Sequence, residues 1–538
     1  MTKKKTQSVV VDTPQRRLSP WRVLLAILIL IGIAGGIYLG FLHWQDSRIT
    51  AGHKPWFASY VDVTATPRYA FEQLAPGTPK TFVLSFIVAS PNDGCMPTWG
   101  ASYTLDQARG GLDMDRRIAR LRQEGGNITV SFGGQRNQEL ALTCKNIDTL
   151  KAAYQEVVDR YTVDTIDLDL EGDGLNDTDA MKRRATAIAL LQQQKRAAKQ
   201  NLAVWLTLPV SPQGLSVEGT NAIAAMLAAK VDVSGINVMT MDYGNSKDKN
   251  DTMEQASEKA LNETHRQLGI LYKQAGINLN SATLWRKIGT TVMIGQNDTS
   301  DEIVTLDDAT TLNTFATQQG LGRMSMWSAN RDIPCGDNYV DTKIVSDSCS
   351  GVKQGKYAFA QTLSKDFTGT LQQNAAVVTT QDADASIQTP DDPNTSPYEI
   401  WDETSSYLTG TKVVWHHNVY QAKWWTRGEM PDNPVLQSWQ TPWQLLGPVL
   451  PGEKPIPQPT LPAGTYPDWS GTDIYQAGQR VLLNGVPYQA KWWNQGQSPE
   501  AASANPDASP WTPLTQQEIN ALFPDASAST SALDTPTP

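Results

Sequence analysis

The chain has 538 residues, too many for one ordinary hydrophobic core, so two or more folded units are expected. Its formal charge is −10, and the imbalance deepens beyond the N-terminus. The first 22 residues hold six basic groups (Lys3, Lys4, Lys5, Arg16, Arg17, Arg22) against one acid, Asp12, which leaves −15 on the remainder. A surface of that sign repels phosphate backbones and argues against nucleic acid as a partner.

Residues 1–22 read as a basic cytoplasmic tail. From Val23 to Leu42 no charge occurs, and a helix of about twenty residues spans roughly 30 Å, the thickness of a bilayer's hydrocarbon core. The sequence therefore predicts a transmembrane signal-anchor over residues 23–43, with the lipid bilayer as a partner. Everything beyond Trp44 is then expected on the periplasmic or extracellular side. A cleaved signal peptide is the competing reading. Its apolar core is usually shorter and ends at small residues, whereas bulky Leu39, Phe41 and Trp44 stand here.

Four cysteines occur, Cys95, Cys144, Cys335 and Cys349, with no CxxC pair. The five histidines form no HExxH, so neither a metal nor a cofactor is expected. An even count in an exported chain suggests two disulfides, most simply Cys95–Cys144 and Cys335–Cys349, one of the three pairings that four cysteines permit.

Between residues 54 and 370 short β-branched runs alternate with longer amphipathic stretches. Eight strand candidates begin at Pro55, Thr81, Asn127, Thr165, Leu202, Gly235, Lys287 and Gly322. Helical periodicity is clearest in Asp148–Tyr161, Asp177–Lys199, Ala222–Lys230 and Thr252–Gly276. Eight alternating β and α units predict an α/β fold, a (β/α)8 TIM barrel. The rival is an open doubly wound sheet, but no glycine-rich phosphate loop follows the first strand. Residues 371–397, poor in apolar groups, read as a linker.

Residues 398–446 and 466–516 are copies of one another, separated by a Pro-rich linker over 447–465. Trp401, Tyr407, Val413, Tyr420, Trp424, Trp425 and Trp443 recur 68 residues later as Trp469, Tyr475, Val481, Tyr488, Trp492, Trp493 and Trp511. A constant offset of this kind marks tandem modules, here two small all-β ones. QAKWW stands in both copies, and period-2 alternation predicts that one tryptophan of each pair packs inward while its neighbour faces out. Residues 517–538 read as a disordered tail. Monomer is the default oligomeric state.

The fourth strand candidate, TIDLDLEG, carries the most chemistry. Alternation sends Asp167, Asp169 and Glu171 to one face and Ile166, Leu168 and Leu170 to the other. Three buried carboxylates without a function would be very costly. Mutual repulsion raises some of their pKa values and keeps a proton available near neutrality. A solvated or calcium-binding strand is the plainer alternative, though calcium sites usually draw on loop oxygens.

Residues 164–171, DTIDLDLE, resemble the DGxDxDxE signature of glycoside hydrolase family 18, with Thr165 in place of the usual glycine. SFGG, Ser131–Gly134, resembles the family's third-strand SxGG. Met241-Asp242-Tyr243 resembles its sixth-strand MxY, although Gly244 stands where an Asp often follows, and no role is assigned to Asp242. Trp327 matches the family's substrate-floor tryptophan. The two modules resemble chitin-binding type 3 domains, carbohydrate-binding module family 5/12.

The resemblance implies a retaining, substrate-assisted chitinase with chitin or chitooligosaccharides as partners. Glu171 would be the general acid and base, and Asp169 would stabilise the substrate's acetamido group. Asp167 would share a proton with Asp169, and the Tyr243 hydroxyl would hold the acetamido group. Met241, Trp327, Trp424, Trp425, Trp492 and Trp493 would bind sugar. Two other readings stay open: an endo-β-N-acetylglucosaminidase acting on glycoprotein glycans, and a non-catalytic chitin-binding protein.

Overall fold

β-Branched and aromatic runs become strands here because both of their faces are buried, as parallel barrel strands require. The computed structural model describes residues 54–337, 339, 341, 343–375, 391–450, 452–454, 459–499 and 509–522. The expected basic tail and anchor, residues 1–43, lie outside the described residues, as do residues 376–390 of the expected linker and 523–538 of the expected tail. Two boundaries are corrected: Leu371–Ala375, read as linker, and Gln516–Leu522, which runs into the expected disordered tail, are short helices whose Leu371 and Ile519 are buried in apolar clusters. Among the described residues no helix is long and apolar enough to cross a membrane.

The barrel strands are β1 (Trp56–Asp62), β2 (Thr81–Ala89), β3 (Asn127–Gly133), β4 (Thr165–Asp169), β5 (Ala203–Ser211), β6 (Val233–Met239), β7 (Ile288–Met293) and β8 (Arg323–Trp327). Each pairs in parallel with its sequence neighbour, and β1 pairs with both β2 and β8, which closes the sheet. The main outer helices are α1 (Met114–Gln123), α2 (Ile147–Arg160), α3 (Thr178–Ala197), α4 (Val217–Ala228), α5 (Met253–Gln274), α6 (Leu306–Gln319) and α7 (Ala358–Leu363). The β1–β2 connection carries no helix, so the alternation is not strict.

Helix starts follow capping chemistry. Asn146 accepts from the Thr149 amide at α2, and Asp177 accepts from Asp179 and Ala180 at α3. Thr252 and Gln255 form a capping box at α5. The outward faces of the strands and the inward faces of the helices form one large apolar core, which contains Ile166, Leu168 and Leu170.

Inside the barrel the filling is different. Trp56, Ala58, Tyr60, Val83 and Trp205 make a small aromatic cluster, against which Phe86 and Trp327 pack. Around it lies a buried polar belt of Ser131, Asp167, Thr207, Asn237, Thr291, Arg323 and Ser325. Disulfides Cys95–Cys144 and Cys335–Cys349 tie surface loops, the pairing that the sequence suggested.

Each C-terminal module holds a three-stranded antiparallel sheet. In the first it is formed by Lys412–Trp415, Asn418–Ala422 and Trp443–Pro448, in the second by Arg480–Leu483, Val486–Ala490 and Trp511–Pro513. The repeated Tyr407, Val413, Tyr420 and Trp443 form one core, and Tyr475, Val481, Tyr488 and Trp511 form its counterpart. The expectation of one inward tryptophan per QAKWW is corrected. The strands end at Ala422 and Ala490, so alternation does not extend to the pairs. Trp424 and Trp425 are 43% and 54% exposed, and Trp492 and Trp493 are 43% and 56% exposed.

Candidate active site

Strand β4 delivers Asp167 and Asp169 into the barrel, while Ile166, Leu168 and Leu170 face the helices. Regular pairing stops at Asp169. Glu171 stands just beyond, as the N-cap residue of a short helix over Gly172–Asn176, at the C-terminal mouth where barrel active sites assemble. The three acids therefore climb from the sealed interior to a half-open rim.

Asp167 is fully buried and accepts four hydrogen bonds. Thr207 and Arg323 donate to Oδ1, each at 2.7 Å, and Tyr60 (2.8 Å) and Ser131 (2.7 Å) donate to Oδ2. Ser131 is thus the working residue of SFGG. The glycines serve close approach: at φ +104° a Cβ on Gly133 would stand 2.0 Å from the Asp169 carbonyl oxygen, and one on Gly134 would meet the Phe86 ring at 2.9 Å.

Asp169 has a contrasting environment. Its Oδ1 is buried without a protein partner. Burial, then the neighbouring charges of Glu171 and Asp167, push its pKa well above the ordinary carboxylate range. For Glu171, burial first and the Asp242 charge second raise the pKa to about 7. A carboxyl group of that kind holds a proton near neutrality and can pass it to a leaving oxygen.

Two expectations on the sixth strand are corrected. Strand β6 ends at Met239, and Asp242 then adopts φ +50°, so Met241 and Tyr243 lie beyond the strand on which the motif resemblance placed them. Tyr243 packs in the outer core, only 6% exposed, with its hydroxyl 3.1 Å from Ser257 on α5. Glu302 holds the turn by accepting from the Tyr243 and Gly244 amides. Asp242, to which no role was assigned, is the residue whose charge reaches Glu171. Met241 is half-buried beside it.

Trp327 ends β8 and is partly buried, stacked on Phe86 at 5.7 Å and tilted against Tyr60 at 6.0 Å. Arg323, two turns of the pleat earlier, was missed in the sequence. Arg323, Ser325 and Trp327 share a face that alternates with Met324 and Met326, and that pattern was its readable signal. Among the described residues no group of three or more His, Cys, Asp or Glu side chains is arranged to hold a metal ion.

A closed eight-stranded barrel with a carboxyl of raised pKa at its mouth, above two buried acids, is an arrangement suited to glycoside hydrolysis. Residues 60–283 match the model of glycosyl hydrolases family 18, and residues 468–512 match carbohydrate-binding module family 5/12. The chain is 32% identical over 346 residues to a probable bifunctional chitinase/lysozyme of Escherichia coli (strain K12), covering 62% of this chain and 36% of that protein. It is 31% identical over 307 residues to Endochitinase 11 of Metarhizium anisopliae, covering 55% of this chain and 57% of that protein. The chain thus spans between about a third and somewhat over half of the length of these two relatives. Among solved structures, the catalytic domain of a hyperthermophilic chitinase from Pyrococcus furiosus aligns with a TM-score of 0.50 at 27% identity. That alignment covers 60% of this chain and 99% of that one.

Proposed function

We propose that this protein is a chitinase that hydrolyses β-1,4-N-acetylglucosamine linkages with retention, using the substrate's own acetamido oxygen as nucleophile. The observation that carries the reading is Glu171, a half-buried carboxyl at the barrel mouth with its pKa pushed up to about 7. In this mechanism Glu171 protonates the departing glycosidic oxygen while the acetamido oxygen closes on the anomeric carbon. Asp169 accepts from the acetamido N–H and balances the charge that grows there. Glu171, now anionic, takes a proton from water as the water oxygen opens the oxazolinium ring. Trp327 stacks beneath the sugar at the reacting position.

The exposed pairs Trp424–Trp425 and Trp492–Trp493 offer flat indoles to sugar faces, and two weak sites on one chain raise avidity for a repeating polymer. The second module's match to the family 5/12 model, and the first module's shared strands, core residues and exposed pair, support reading both as chitin-binding modules of the type 3 kind. Residues 23–43 serve as an uncleaved anchor that holds the catalytic and binding units outside the cytoplasmic membrane face.

The test is release of soluble chitooligosaccharides from chitin by the full chain, compared with release of glycans from glycoproteins. Glu171→Gln is expected to abolish turnover yet leave chitin pull-down intact. Undiminished turnover in that variant would defeat the assignment. Fractionation with external protease digestion tests the anchor, which is wrong if the chain is recovered wholly outside the membrane pellet.

A further inference from the structure

Beneath the carboxylates sits a cation that the mechanism above does not use. Arg323 on β8 is fully buried, its guanidinium 5.0 Å from the Trp56 ring centre, 5.5 Å from that of Trp205 and 5.6 Å from that of Tyr60. Its Nη1 donates to Asp167 Oδ1 at 2.7 Å, its Nη2 to the Tyr60 hydroxyl at 3.0 Å and its Nε to Ser325 Oγ at 2.8 Å. Four groups converge on the two Asp167 oxygens; the three hydroxyls can turn to accept, but the guanidinium can only donate, and its ion pair at 2.7 Å, with both side chains fully buried, favours the Asp167 carboxylate anion. Asp169 Oδ1, by contrast, has no protein partner.

We propose that Arg323 is a positioning residue that pins Asp167 as a permanent anion and cancels its charge, so that the reaction's mobile proton belongs to Asp169 and Glu171 alone. The proposal rests on the chitinase reading and changes one part of it, because Asp167 no longer shares a proton with Asp169.

The charge balance is simple. Asp167 and Arg323 together contribute no net charge below the site. Tyr60 from β1 is held neutral, its pKa raised first by burial and then by Asp167. Ser131 from β3, Thr207 from β5 and Asn237 from β6 are uncharged. Above lie Asp169, Glu171 and, beyond β6, Asp242. The reactive form carries one proton across Asp169 and Glu171. It leaves Glu171 for the glycosidic oxygen and is replaced from the attacking water, so the count is restored in each turnover. The acidic limb of the pH–rate profile is then uptake of a second proton by this pair, and the alkaline limb is loss of the first.

Opposite charges left in the floor should move both limbs in opposite directions. Arg323→Gln leaves an unbalanced anion, which disfavours ionisation above it, so both limbs should rise by about one pH unit. Asp167→Asn leaves an unbalanced cation, and both limbs should fall by about the same amount. The double variant removes both charges and should bring the limbs back to the wild-type positions. Arg323→Lys keeps the cation and should hold the limbs in place.

The measurement is kcat/KM against pH for the full chain on a fluorogenic chitooligosaccharide. Should the single variants fail to fold, the neutral double variant and Arg323→Lys carry the test, because limbs displaced in either of them contradict the proposal. Limbs that shift in the same direction in both single variants, or a double variant that behaves like Asp167→Asn, would overturn the pinning role and restore Asp167 as a proton partner. A wild-type chain that leaves the oligosaccharide intact would overturn the chitinase reading instead.

Discussion

Replacing Asp242 by Asn removes the second cause of the high Glu171 pKa and leaves the first, burial, in place. An anion nearby disfavours the ionised form of Glu171, so its loss lowers the pKa, by about one unit for a close carboxylate neighbour. With Glu171 at about 7, roughly 9% of the acid form survives at about pH 8; at about 6, roughly 1% does. Asp242→Asn should therefore match wild type near pH 5 to 6 to within a few-fold, yet lose about a further tenfold at pH 8. The assay is kcat/KM on a short soluble chitooligosaccharide between pH 5 and 9. An alkaline limb that stays where it was would show that Asp242 does not reach Glu171. A loss that is equal at every pH would assign Asp242 to binding or turn geometry, since its Oδ1 also accepts from the Thr299 amide.

A carboxyl raised from an ordinary 4.5 to about 7 is a cost to the folded state once it ionises. The sign follows: the penalty is absent below about pH 4.5 and complete above about pH 7. Glu171→Gln should thus gain up to about 3 kcal/mol at pH 8 and nothing at pH 4.5, read as urea midpoints at the two pH values. Tyr243→Phe should cost only about 1 kcal/mol through the lost Ser257 bond and hold turnover within about threefold, whereas a hydroxyl that touched substrate would cost far more. Gly133→Ala should destabilise by about 2–4 kcal/mol and impair turnover, because the new methyl meets the Asp169 carbonyl at a positive φ; a neutral result would refute the close approach.

Most of the barrel was legible because most strands are short β-branched runs separated by helical periodicity, and the Asp167, Asp169 and Glu171 face followed from alternation along β4. What alternation could not supply was the place where a strand stops. β6 ends two residues before Met241, and Asp242 adopts a left-handed conformation, so Tyr243 turned outward while the charge of Asp242 is the one that reaches Glu171. In the modules alternation was carried past the strand ends, since the tryptophan pairs lie beyond Ala422 and Ala490. Arg323 was hidden for another reason. A lone arginine in a strand reads as a solvated end, and only the closed sheet brings β8 across the barrel to Asp167.

In both modules one set of aromatic residues makes the core, while the tandem tryptophan pair lies outside it and is exposed. Mutation can therefore act on one set without endangering the other. Exchanging the outer pair for other flat or polar groups would retarget the module to a different polymer surface at small risk to its folding. Duplication of such a unit lets one copy vary while its twin preserves adhesion, a route by which a single catalytic barrel can follow changing substrates.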